Sequence, residues 1–273
     1  MLQLFSFGSG SSGNCLFVSN ERDAVLVDAG VGIRSVKRWA QQYDLPMSRL
    51  RALLITHDHA DHVRSAAQVV RQYNLPAYAT AAVHRALAQG AHTLHPLPVP
   101  CRHVVDTDTP LILASLRVTP FALPHDATEN VGYAIESEGH RLVIMTDVGH
   151  VSETAAKQIQ QADSLVIEAN YDPDMLRCGP YPEALKQRIA NGYGHLSNRQ
   201  TAEALATYAS PALRNVCLCH LSEHNNLPQL AHRTVAQALA LRGRIEARDY
   251  QLHVLRRQVP TGPLLLNPYS QSQ

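Results

Sequence analysis

The sequence predicts an α/β chain in which two β-sheets pack face to face with helices on their outer sides, an αβ/βα sandwich. Three observations point to it. Short apolar runs of strand length alternate with segments of helical period, and in each half of the chain the strands gather early while the helices interleave later. Hydrophobic residues make up 45% of the 273, enough for a large core. Residue types that bind ligands sit just after several expected strands, where α/β proteins place their sites.

In chain order, residues 2–7 alternate and read as a strand, and Gly8–Asn14 (GSGSSGN) is a tight polar loop. Strands over 15–19 and 24–28 flank the polar turn 20–23. A helix over 36–43 ends near Pro46, and ALLIT at 52–56 is the continuous apolar run of a strand buried on both faces. Residues 61–73 have helical spacing, followed by a strand over 76–80 and a helix over 81–89. The stretch 103–146 is strand-rich, with strands over 116–122, 131–136 and 142–146. A helix over 152–161, a strand over 164–168, helices within 182–190 and 198–208, a strand over 216–219, a helix over 229–241 and a strand over 251–255 complete the pattern. This predicts one domain over residues 1–256. The stretch 257–273, rich in Pro, Ser and Gln, reads as a flexible C-terminal tail.

The net charge of +1 neither requires nor forbids a polyanionic partner. The five cysteines are odd in number and form no C-x-x-C pair, so a reducing, cytoplasmic setting is expected. MLQLFSFGSG lacks a basic segment followed by a long apolar one, and no apolar run approaches the ~20 residues of a membrane helix. No secretory signal and no membrane association are expected.

Thr56-His57-Asp58-His59-Ala60-Asp61-His62 follows a buried strand and opens a helix. In an extended segment residues i and i+2 point the same way, so His57 and His59 can grip one ion. Asp61 and His62, at the turn into the helix, can reach a second. Three histidines and an aspartate this close are costly to desolvate unless a metal pairs with them. Imidazole and carboxylate suit zinc or manganese, and iron also fits. His125, Asp147 and His220 lie after strands and are candidates for further ligands. By pattern alone His125 and His220 are equally readable as surface residues. Cys217 and Cys219 read as core.

H-x-H-x-D-H after a strand resembles the signature of the metallo-β-lactamase superfamily, and Asp28, His125, Asp147 and His220 follow that superfamily's order. The resemblance implies a four-layer metallo-β-lactamase sandwich with two packed β-sheets and two divalent metal ions. One is held by His57, His59 and His125, the other by Asp61, His62 and His220, with Asp147 bridging and Asp28 steadying the ligand loop. The opening GSGSSGN, Glu168-Ala169-Asn170, Gly194-His195-Leu196-Ser197-Asn198 and His220-Leu221-Ser222 resemble the YycJ/WalJ (VicX) group. That group is associated with 5′-to-3′ DNA exonuclease activity, which implies a DNA substrate. The order Glu168, His195, His220 is also similar to transfer-RNA 3′-processing endonucleases, in which a Glu supports a His that helps the leaving group depart. Asp147 and Glu168 are 21 positions apart, leaving no room for the inserted domain of the β-CASP nucleases.

On this basis His195 is the expected acid for the leaving oxygen, oriented by Glu168, with Asp61 positioned both to bind metal and to accept a hydrogen bond from the nucleophile. His195 is otherwise readable as a residue that merely opens the following helix. Ser11 and Asn14 are candidate substrate contacts, since the loop 8–14 can offer N–H and hydroxyl groups to a phosphate; a plain turn is the alternative. Arg34, Lys37, Arg38, Lys186, Arg188 and Arg199 are weak candidates for tracking a nucleic-acid backbone. Two competing functions remain at this level. One is a hydrolase of small molecules, either a cyclic phosphodiesterase or a thioesterase. The other is a metal-binding regulatory protein without catalysis.

Overall fold

The computed structural model describes residues 1–90 and 95–266. The first half comprises β1 (Leu2–Gly8), β2 (Cys15–Ser19), β3 (Ala24–Val27), α1 (Ile33–Gln42), β4 (Leu50–Leu54), α2 (Ala60–Val63), α3 (Ala66–Tyr73), β5 (Ala77–Ala79), α4 (Ala81–Ala88) and β6 (Arg102–Val104). The second comprises β7 (Leu111–Leu113), β8 (Leu116–Ala122), β9 (Val131–Ser137), β10 (His140–Met145), α5 (Glu153–Gln161), β11 (Ser164–Glu168), α6 (Pro173–Cys178), α7 (Glu183–Ala190), α8 (Asn198–Tyr208), β12 (Asn215–Cys219), α9 (Pro228–Ala240), β13 (Gln251–Val254) and β14 (Thr261–Leu266).

Among the described residues these strands form two seven-stranded sheets, in the orders β14-β1-β2-β3-β4-β5-β6 and β13-β12-β11-β10-β9-β8-β7. Period-two alternation sorts their side chains. Leu16 and Val18, Val25 and Val27, and Ala52 and Leu54 of the first sheet meet Val131, Tyr133 and Ile135, Leu142 and Ile144, and Cys217 and Cys219 of the second. The alternate residues face outward: Phe17, Leu26 and Leu53 cover α1, α3 and α4, while Val143, Leu165 and Leu218 cover α5, α8 and α9. The four-layer sandwich is therefore as expected. Cys217 and Cys219 are core residues. No helix among the described residues is long and apolar enough to cross a membrane.

Strands β3 to β6 run parallel, as do β10 to β13. Their C-terminal ends therefore gather the loops at one edge of each sheet.

Three elements differ from expectation. The helix expected over 61–73 breaks at Arg64 and Ser65, because Ser65 N donates to Ala29 O (2.9 Å) and Arg64 Nη2 to Gly30 O (2.9 Å). These bonds tie the turn that carries His57, His59, Asp61 and His62 to the loop after β3. Helix α6 was not foreseen, although Asp172-Pro173 is a legible start: the Asp172 side chain accepts from Asp174 N and Met175 N, with Pro173 at the first helical position. The expected tail is not loose throughout. Residues 261–266 form β14, antiparallel to β1, with Leu266 opposite Leu2 and Leu264 opposite Leu4. The physical reason is the otherwise unpaired N–H and C=O groups along β1, which this segment satisfies. Residues 267–273 of the expected tail lie outside the described residues.

Gly30 marks the tightest approach between these loops: a Cβ there would collide with the backbone carbonyl of Asp61. Gly30→Ala is expected to cost about 1–3 kcal/mol by overpacking, with Tm falling roughly 2–4 °C per kcal/mol. Gly32→Ala, which would meet nothing within 4 Å, should leave Tm unchanged; thermal unfolding of both proteins checks this.

Candidate metal centre and catalytic cleft

The gathered strand ends bring together every residue expected to bind metal. The turn after β4 supplies His57, His59, Asp61 and His62; the ends of β8, β10 and β12 supply His125, Asp147 and His220. The donor atoms of His57, His59, His125 and Asp147 all lie within 4.8 Å of one another, as do those of Asp61, His62 and His220. Asp147 stands between the groups. Its Oδ2 is 3.9 Å from His57 Nε2 and 3.5 Å from His125 Nε2, while its Oδ1 is 3.2 Å from His62 Nε2. Asp61 Oδ2 lies 3.3 Å from His220 Nε2.

The rings are aimed through their other nitrogens. His62 Nδ1 donates to Asp28 Oδ2 (2.7 Å) and His125 Nδ1 to Gly194 O (2.7 Å). His57 Nδ1 donates to Thr56 Oγ1 (2.9 Å), which in turn donates to Asp28 Oδ2 (2.9 Å). His220 Nδ1 donates to Glu168 Oε1 (2.9 Å). Such contacts fix the tautomer and leave Nε2 for a cation. His57 Nε2 and Asp147 Oδ1 are buried and find no hydrogen-bond partner among the described residues. Buried polar atoms left in this way, within an imidazole–carboxylate donor set, fit divalent metal ions.

Two of these residues hold left-handed backbone that non-glycine residues seldom adopt: Asp28 at φ 62° and His220 at φ 53°. Both are held on each side. Asp28 N donates to Leu54 O, His220 N donates to Ser9 Oγ (2.9 Å), and Asn170 Nδ2 donates to His220 O (2.7 Å).

Glu168 is fully buried and its carboxylate accepts four hydrogen bonds. Oε2 takes Val148 N and Leu196 N (2.9 and 3.0 Å), and Oε1 takes the rings of His220 and His195 (2.9 and 2.7 Å). The expected Glu168–His195 pair is present, and the same oxygen also aims a metal-ligand candidate. Burial disfavours charge on His195, yet Glu168 outweighs it and raises the ring's pKa. In the same way burial works against the charge on Asp147, but His220 and His62 hold its carboxyl well below the usual range. Burial, then His62, pushes His57 far down, so it stands neutral as a ligand must.

A cleft of about 210 Å³ opens over the cluster, lined by His59, Asp61, Asp147, His195 and His220 and also by Tyr181, Leu185, Arg188 and Ile189. Ser11 lies on its wall. Asn14 does not. It is buried beneath the cleft, its Oδ1 accepting from Gly10 N (2.8 Å) and its Nδ2 donating to Asp61 Oδ2 (3.1 Å), 2.9 Å from His62 Nε2. Its amide is engaged by Gly10, Asp61 and His62. Of the weak basic candidates, Arg188 is on the cleft, its Nε 2.6 Å from Asp126 Oδ2. A larger groove of about 630 Å³, lined by residues such as Arg117, Glu136, Glu138 and Arg141, lies elsewhere. It holds ion pairs such as Arg117–Glu136 and none of the ligand cluster.

Sequence reading passed over Thr56, which links Asp28 to His57, and Gly194, whose carbonyl aims His125. Both lie inside or beside motifs already singled out, so adjacency was the available signal.

Residues 23–221 match the family described as the beta-lactamase superfamily domain. The chain is 31% identical over 253 residues to exodeoxyribonuclease YycJ of Bacillus anthracis, covering 93% of this chain and 95% of that protein. It is 32% identical over 232 residues to exodeoxyribonuclease WalJ of Streptococcus pneumoniae, covering 85% and 86%. Among solved structures, the metallo-beta-lactamase fold protein YhfI from Bacillus subtilis superposes with a TM-score of 0.70 at 15% identity, covering 96% of this chain and 100% of that one.

The carboxylates hold a proton on His220. Burial opposes it, but Asp147, Asp61 and Glu168 push the pKa of His220 up to about 10. A cation must displace that proton, so metal affinity is expected to rise with pH toward 10. Titration calorimetry in buffers of different ionisation enthalpy should show protons released on binding. A raised folded-state pKa gives stability that is complete below the ordinary value near 6.5 and lost as pH climbs through 10. The chelator-treated protein should therefore lose Tm from pH 6.5 to 10.

Proposed function

The chain belongs to the beta-lactamase superfamily, within it to the YycJ/WalJ group, and from that premise we propose that it is a dinuclear metal-dependent phosphodiesterase that degrades DNA from 5′ ends. That it is a metal-dependent hydrolase follows from the family. The observation that carries the phosphodiester chemistry is the single Glu168 oxygen shared by His195, which lines the cleft, and His220, in the ligand cluster.

His57, His59 and His125 would hold one ion and Asp61, His62 and His220 the other, with Asp147 bridging; zinc, manganese and iron all suit this donor set. When bound, such a pair of ions lowers the pKa of water toward neutrality and takes up negative charge on the phosphate. The chain's own residues do the rest. Asp61 would accept a hydrogen bond from the nucleophile. Glu168 fixes Nδ1 of His195, so Nε2 is the ring nitrogen left for substrate. The raised pKa keeps a proton there to give to the departing oxygen. Arg188, on the same cleft, offers a guanidinium to a phosphate. The DNA substrate rests on the YycJ and WalJ relatives, and a cytoplasmic setting accords with it.

Metal-loaded protein is expected to release nucleotides stepwise from the 5′ ends of labelled duplex DNA, and Asp147→Ala to abolish this. Turnover of bis(p-nitrophenyl) phosphate without DNA cleavage would redirect the assignment to small substrates. His195→Ala should lower kcat by about 10²–10⁴ with metal content unchanged. Glu168→Gln should lower kcat and also weaken metal binding about 10–100-fold, because it loosens His220. Equal metal affinity in the two variants would remove Glu168 from the ligand-aiming role.

A further inference from the structure

The cleft has two unlike kinds of lining. One is ionic and includes Asp61, Asp147, His195 and His220; the other is Tyr181, Leu185 and Ile189 from the segment leading into and through α7. A phosphate can use Arg188 but not Tyr181, Leu185 or Ile189, whereas a nucleotide presents both a charged and an aromatic part. We infer that Tyr181 is a stacking platform for one unpaired nucleobase of the substrate, with Arg188 one turn of α7 beyond Leu185 also lining the cleft. This rests on the nuclease reading and names the part of the substrate that the cleft recognises.

Tyr181 is mounted rigidly. It lies between Pro180 and Pro182, which restrict the backbone on both sides. Gly179 before them packs so closely on Asn225 Oδ1 that a Cβ would collide with it. The ring meets the exposed His224 at 5.8 Å and 80°, fixing it at the rim. Beneath it, Leu185 and Tyr181 pack on Tyr171, Leu176 and Ile189, a small cluster separate from the main cores. A ring held in one place loses little freedom when a base lies on it.

The phenol itself is unused by the fold. Tyr133 donates its hydroxyl to Ile55 O, but the Tyr181 hydroxyl makes no hydrogen bond among the described residues. The same segment also buttresses the chemistry, since His195 N donates to Ile189 O (2.9 Å). The cleft's 210 Å³ is below the roughly 300–1,000 Å³ of drug-sized sites, too small to take in a base pair. A terminal base must leave its stack to enter, and an aromatic face offsets part of that loss.

The test uses the metal-loaded full chain and labelled duplexes carrying a two-nucleotide unpaired 5′ overhang, either normal or abasic. Neither overhang is paired, so they differ only in the bases. The wild type is expected to show a KM about tenfold lower for the normal overhang. Tyr181→Leu, which keeps apolar packing but removes the ring, should raise that KM to the abasic value with kcat held, and Tyr181→Trp should keep it low. Equal KM for the two overhangs in the wild type, or an unchanged KM in Tyr181→Leu, overturns the platform and leaves the nuclease reading standing. A wild type that cuts neither duplex while hydrolysing bis(p-nitrophenyl) phosphate overturns both.

Discussion

Ionisable side chains taken out of water must be paired, and here Asp28, His57, His62, Asp147, Glu168 and His220 are all 3% exposed or less at one edge of the molecule. The surrounding contacts answer that constraint. Carboxylates face rings, and the rings' remaining nitrogens reach Thr56, Asp28, Gly194 and Glu168. The left-handed backbone at Asp28 and His220, costing on the order of 1–3 kcal/mol at each, persists because loops from both sheets pin it.

The two sheets are what make the pairing possible. Neither could bury its inner face alone, and packing them aligns the C-terminal edges of β4 and β10 so that the turn after one faces the end of the other. The rigid layer fixes the candidate metal cluster, whereas α7 and the segment before it, on a small apolar cluster shared with α6, supply the cleft's apolar lining. The candidate metal cluster thus sits on the best-packed elements, and the apolar lining of the cleft on a less deeply embedded one. The bond from His195 N to Ile189 O joins the two.

The layered fold and the clustering of His57, His59, Asp61 and His62 were legible in the sequence because both are written locally. Alternation sorts inner from outer faces within one strand, and His57, His59, Asp61 and His62 lie within six positions after a buried run. Asn14 was read as a substrate contact because a Gly/Ser loop also suits phosphate. Its actual partners, Asp61 and His62, are 47 and 48 positions away, beyond any local signal. The β14 segment was missed for the same reason: its composition is that of a tail, and only the open edge of β1 makes it a strand.

By itself, then, the sequence determined which side chains could bind metal and on which kind of element each would lie, since burial pattern and residue type suffice for that. Tertiary structure decided what those side chains share. That one Glu168 oxygen serves both His195 and His220, 27 and 52 positions away, and that Tyr181 lines the same cleft as Asp147, depends on how the strand-end loops are brought together. Those distances are set by the packing of whole sheets and helices, which no short window of residues encodes.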